Sequence, residues 1–149
     1  MSAFLSRWPV LQEHQVTAGD LDDGGVVSDQ SVARWVAAAR AAHLDRCAAL
    51  RRRLEEAGLE LEVQSATLPP GASLGRPATV LVSAGVREVW PSAFAIAVRL
   101  RPLDGDRDTA VNASCVMRLV DPAAGEPREL GDEVRDELIA LEHAAEHFN

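Results

Sequence analysis

The chain has 149 residues, a formal net charge of -8, 47% apolar and 26% charged residues. That length predicts a single domain over residues 1–149, large enough to bury its own core. The composition excludes a disordered chain, and the acidic balance argues against nucleic acid as a partner. All 15 basic side chains are arginine, because the chain has no lysine; it also has no tyrosine. Cys47 and Cys115 are too few and too far apart for a disulfide framework and read as buried, reduced thiols. Met1–Trp8 lacks a long apolar stretch, so no signal peptide is expected. No apolar run reaches membrane-spanning length, so a cytoplasmic protein with no membrane partner is expected.

Val10–Thr17 reads as a first strand. An acidic, glycine-bearing turn follows, Gly19-Asp20-Leu21-Asp22-Asp23-Gly24-Gly25-Val26-Val27-Ser28-Asp29. Ser28 or Asp29 can cap a helix running to about Ala57. Val32, Trp35, Val36, Ala39, His43, Cys47, Leu50 and Leu54 recur along it at helical spacing, and Gly58 suits its C-terminal cap. Strands then dominate: Leu59–Leu68, Ala78–Trp90, a segment alternating at Phe94, Ile96, Val98 and Leu100, and Thr109–Asp121. Short turns between the last three imply an antiparallel sheet. A last helix over roughly Asp132–His147 has Val134, Leu138, Leu141 and Ala145 on one face.

The acidic turn carries the functional signal. It sets carboxylates beside a helix N-terminus, whose unpaired N–H groups and dipole can polarise a carbonyl. That arrangement suits acyl transfer. The residues alone also allow a solvated turn in which Asp20, Asp22 and Asp23 only tighten the loop.

With that order in place, the chain resembles the hot-dog fold acyl-CoA thioesterases of the 4-hydroxybenzoyl-CoA thioesterase type. The resemblance rests on Asp20-Leu21-Asp22-Asp23-Gly24-Gly25-Val26-Val27 after a strand, with Arg34-Trp35 in the following helix. Leu68-Pro69-Pro70 through Pro77, Met117–Asp121 and Leu130–Leu138 resemble the family's later segments. The resemblance implies an α+β hot-dog fold: a long central helix wrapped by an antiparallel sheet of about five strands, plus a short C-terminal helix. It implies a thioester hydrolase acting on an acyl-CoA, without a cofactor or metal. Asp22 would be the catalytic carboxylate, as nucleophile or as general base for water. The helix N-terminus would supply the oxyanion hole. Gly25, Val26, Ser28 and Asp29 would meet the substrate, and Gly25 would let the backbone approach it closely. A homodimer is implied, with a homotetramer as the larger assembly.

Asp29 departs from the family pattern and sits where the thioester oxygen would bind. Facing inward, it would repel an oxyanion and compete for its donors; as a helix cap only, its effect would be mild. Ala37, Ala38 and Ala39 occupy the helix where one branch of the family carries a catalytic Glu, which leaves Asp22, or else Asp20. Arg76, in the loop before a strand, and Arg51-Arg52-Arg53 offer guanidinium groups to coenzyme A phosphates. His143-Ala144-Ala145-Glu146-His147 spells a zinc motif but reads as a polar helix end, and Asp104–Asp108 reads as a hairpin turn and not a calcium loop. His14 and His43 read as structural. Two rival readings follow: a non-catalytic hot-dog protein binding an acyl or aromatic ligand, and a dehydratase, which would need His14 within reach of Asp22.

Overall fold

The computed structural model describes residues 10–104 and 109–147. The period-two segments form β1 (Val10–Gln15), β2 (Glu60–Thr67), β3 (Thr79–Val89), β4 (Ala93–Pro102) and β5 (Val111–Asp121), with a two-residue β6 (Glu126–Pro127). They build one antiparallel sheet in the order β1-β3-β4-β5-β2, with β6 on β5. The register aligns Val86, Ile96 and Cys115, and likewise Ala84, Val98 and Ala113, on one face. That face packs against Val32, Trp35, Val36 and Ala39. Burying each large aliphatic here, such as the fully buried Leu50, Ile96 or Leu100, contributes about 1.5–3 kcal/mol. Val80 to Val86 is buried at every position, so β3 is covered on both faces. The hairpin turn expected after Asp104 lies mostly outside the described residues.

The long helix is corrected. It is two helices, α1 (Asp29–Asp45) and α2 (Ala48–Ala57), separated at Arg46–Cys47. The last turn of α1 tightens, with Arg46 N–H donating to His43 O and Cys47 N–H to Leu44 O, both at 3.0 Å. Cys47 then leaves helical geometry at ψ 77°. Each new helix start exposes unpaired N–H groups. Here the Glu137 carboxylate satisfies two of them, accepting from Ala49 N at 3.0 Å and Leu50 N at 3.2 Å. Glu137 belongs to α3 (Asp132–His147), which packs through Val134 and Leu138 onto the same core as Leu50. No residue near the break disfavours helix, so the sequence pattern reads straight through it. Gly58 closes α2 at φ 64°, as expected.

β1 and β2 are the edges of the sheet. β2 is exposed at every position except Leu61. Its inward-facing Val63, opposite Met117, is 45% exposed.

Candidate active site

The acidic turn is built around Asp20, a buried carboxylate. Asp20 ends a 3-10 turn, Ala18–Asp20. Its Oδ2 accepts from Thr17 N at 2.9 Å and Thr17 Oγ1 at 3.1 Å. Its Oδ1 accepts from Ser31 Oγ at 2.9 Å and pairs with the Arg34 guanidinium. Hydrogen bonds from the Thr17 backbone, then from the Ser31, Thr17 and Arg34 side chains, hold its pKa below the ordinary carboxylate value against the opposing effect of burial. Asp20 thus bolts the turn to the first turns of α1. Both of its oxygens are engaged in holding the turn.

Asp22 is the opposite case. It is exposed, at the mouth of a tight hairpin closed by Asp22 N to Val26 O at 2.8 Å and Gly25 N to Asp22 O at 3.0 Å. Its Oδ1 accepts from Gly24 N at 2.8 Å and Val26 N at 3.2 Å. Oδ2 has no hydrogen-bond partner among the described residues. One oxygen therefore fixes the carboxylate and leaves the other free of protein donors among the described residues. Gly25 adopts φ 81°, a left-handed conformation that glycine takes without strain.

A second loop docks on this turn. The 3-10 turn Gly71–Leu74 presents Gly71 N to Asp29 Oδ1 at 2.8 Å, and Gly75 O accepts from Val27 N at 2.9 Å. A Cβ built on Gly71 would lie 2.2 Å from Val27 O, so only glycine permits this contact. The loop carries Arg76 to the turn: its Nη1 lies 3.8 Å from where a Cβ on Gly25 would be. Arg76 lines a groove of about 340 Å³ with Val16, Thr17, Leu21 and Pro77. Gly25, Val26, Ser28, Asp29 and Arg76 thus gather around the acidic turn.

Ser28, and not Asp29, caps α1. Its Oγ accepts from Ser31 N at 3.1 Å, and its O accepts from Val32 N at 3.2 Å. Asp29 spends its Oδ1 on Gly71. The backbone N–H groups of Asp29 and Gln30 have no acceptor among the described residues. They form a donor pair at the positive end of a 17-residue helix.

Other candidates stay apart. Arg52 pairs with Glu133 of α3, and Arg53 donates to Glu129 O, in the segment before α3, at 2.8 Å. His14 stacks on Trp35, centroids 5.6 Å apart, and no hydrogen bond joins it to Asp22. Burial lowers its pKa, opposed by the charge of Asp20 and reinforced by that of Arg34. His43 is fully buried 3.8 Å from Cys47 Sγ, and burial pushes the Cys47 thiol up to about 12. No group of three His, Cys, Asp or Glu side chains suited to a metal occurs among the described residues. The side chains of the His143–His147 motif lie outside them. No described helix is long and apolar enough to cross a membrane.

Sequence reasoning missed the anchoring network of Asp20, Ser31 and Arg34, and the docking residue Gly71. Ser28 was a readable cap signal; the Arg34–Asp20 pair joins residues fourteen apart and had no local signature.

No protein-family model matches the sequence, and no curated protein matches it. Solved structures do. A 1,4-dihydroxy-2-naphthoyl-CoA thioesterase from Synechocystis superposes with TM-score 0.69 at 15% identity, covering 89% of this chain and 97% of that one. A 12:0-ACP thioesterase from Umbellularia californica gives TM-score 0.71 at 12% identity, covering 89% of this chain and 53% of that one. A probable thioesterase from Escherichia coli gives 0.64 at 11% identity, covering 88% and 97%. The chain has the hot-dog fold that these thioesterases share.

Proposed function

We propose that the protein is a thioester hydrolase that cleaves acyl-CoA to the free acid and coenzyme A, of the 4-hydroxybenzoyl-CoA thioesterase type. The observation that carries this reading is the pairing of an anchored, half-free carboxylate with free helix amides. Asp22 holds one oxygen in the turn and leaves the other unpartnered, while the Asp29 and Gln30 N–H groups lack acceptors. The thioester oxygen accepts from these two amides, which stabilise the negative charge that develops as the carbonyl carbon becomes tetrahedral. Asp22 Oδ2 either attacks that carbon, expelling the coenzyme A thiolate and leaving an anhydride for water to hydrolyse, or removes a proton from the attacking water. The engagement of Asp29 Oδ1 by Gly71 supports hydrolysis over ligand binding alone, because it occupies one oxygen of the carboxylate that would repel the oxyanion. Gly25 and Val26 border the reacting carbonyl, Ser28 holds the helix start, and Arg76 meets a coenzyme A phosphate.

The exposed β2 edge supports a homodimer. Val63 and Leu68, each 45% exposed, are the apolar surface a second copy would cover, and pairing of dimers gives the tetramer. The decisive experiment follows free thiol release from a broad acyl-CoA panel by purified wild type and Asp22→Asn. Turnover that falls at least about a hundredfold in the variant supports the mechanism. Absence of turnover across the panel, or an unchanged rate in Asp22→Asn, defeats it. Light scattering of the purified protein gives the assembly.

A further inference from the structure

Arg40 has no role in the acidic-turn chemistry, yet the fold directs it inward. It lies on α1 about three turns beyond Asp29. Its neighbours one helical turn away are Val36, Ala37, His43 and Leu44, none a carboxylate. The side chain is half-buried, and its Nη1 donates to Cys115 Sγ at 3.6 Å. Cys115 is 2% exposed, on the inner face of β5. Among the described residues the guanidinium has no other hydrogen bond and no ion pair. A guanidinium keeps its charge and carries five N–H donors in a fork shaped for a carboxylate. A neutral thiol is a weak acceptor, and a partly buried cation held by it alone lacks its counter-charge.

The surroundings are open on one side and apolar. Cys115 pairs with Ala66 on β2, and Ala66 and Val63 are exposed on this inner face. A few residues beyond Ala66, Gly71 ties to Asp29 at the start of α1. The Asp29–Gly71 and Arg40–Cys115 contacts therefore mark two ends of one strip along α1, a helical rise of about 16 Å. Free amides stand at one end and an unpaired guanidinium at the other.

The geometry points to Arg40 as a specificity-determining residue that binds a carboxylate at the end of the acyl group remote from the thioester, making thioesters of dicarboxylic acids the substrate class. This rests on the hydrolase reading above. The thioester end sits at the α1 N-terminus, the methylene chain runs along α1 toward Ala66, and the terminal carboxylate takes the Arg40 fork.

The test compares two acyl-CoA thioesters of equal medium chain length, one ending in a methyl and one in a carboxylate. Wild type is expected to favour the carboxylate-terminated substrate in kcat/KM by about 10- to 100-fold, the range of a charge-assisted hydrogen-bonded pair. In Arg40→Met the ratio falls to within about threefold of one, and Arg40→Lys lies between. Equal use of the two substrates by wild type overturns the inference and leaves hydrolysis standing, as does a ratio unmoved in folded Arg40→Met. Equilibrium binding of the same pair to Asp22→Asn, with and without Arg40→Met, separates the two ideas. A carboxylate preference in binding that is lost with Arg40→Met upholds the site even if no thioester turns over; its absence refutes the site. If Arg40→Met fails to fold, the wild-type ratio alone decides.

Discussion

Replacing Gly71 by alanine tests how tightly the second loop is clamped to the helix start. A Cβ at this position would stand 2.2 Å from Val27 O, 2.6 Å from Ser28 C and 2.7 Å from Ser28 O. All three are backbone atoms of the segment that enters α1, so no side-chain rotation relieves the clash. Restoring ordinary contact moves the loop by about 1 Å, enough to stretch Gly71 N–Asp29 Oδ1 from 2.8 Å beyond hydrogen-bonding range. Overpacking of this kind costs about 1–3 kcal/mol, and a lost hydrogen bond to a charged acceptor adds about 1.5–3 kcal/mol. Together these give about 2.5–6 kcal/mol, which for a domain of this size lowers Tm by roughly 5–24 °C. Calorimetry of Gly71→Ala beside an Ala72→Gly control measures it. The displacement also shifts the Asp29 and Gln30 amides, so kcat should fall more than KM rises. A Gly71→Ala protein melting within about 2 °C of wild type would show that the loop is not clamped and that the site's geometry does not depend on it.

Asp20→Ala strands the Thr17 N–H, the Ser31 hydroxyl and Arg34, and should lower stability by about 3 kcal/mol in urea titration. The pKa of Asp20 is lowered on folding, so its contribution is present above the unfolded value of 3.8 and is lost as pH falls through the folded value. The stability gap between wild type and Asp20→Asn should therefore close below pH 3.8. Glu137→Ala leaves Ala49 and Leu50 N–H without their acceptor and should cost about 1–2 kcal/mol, with Glu137→Gln milder. With its thiol pushed up to about 12, Cys47 should resist iodoacetamide at pH near 8 until denaturant is added; labelling in the native state, read by mass spectrometry, would contradict its burial.

Much of the sheet was legible because its signal is local. Phe94, Ile96, Val98 and Leu100 alternate with small or charged residues, and the alternation itself names the buried face. The turn at Gly24-Gly25 and the cap at Ser28 were legible for the same reason: their chemistry lies within a few residues. The break at Arg46–Cys47 was not, because its cause is a carboxylate contributed from α3. Of the site, the turn residues around Asp22 could be nominated in advance. The orientation of Asp29 could not, since it depends on Gly71, a residue 42 positions away. Arg40 showed no signal at all: an arginine in an alanine-rich helix reads as solvated until the fold turns it toward Cys115.

The Glu137 contacts also bear on the order in which the structure can be completed. The two amides at the start of α2 wait for a carboxylate 88 and 87 residues downstream. During vectorial synthesis, α1 and α2 leave the ribosome long before that carboxylate exists. The start of α2 therefore gains its cap only when α3 docks, after the strands between the two helices have been made.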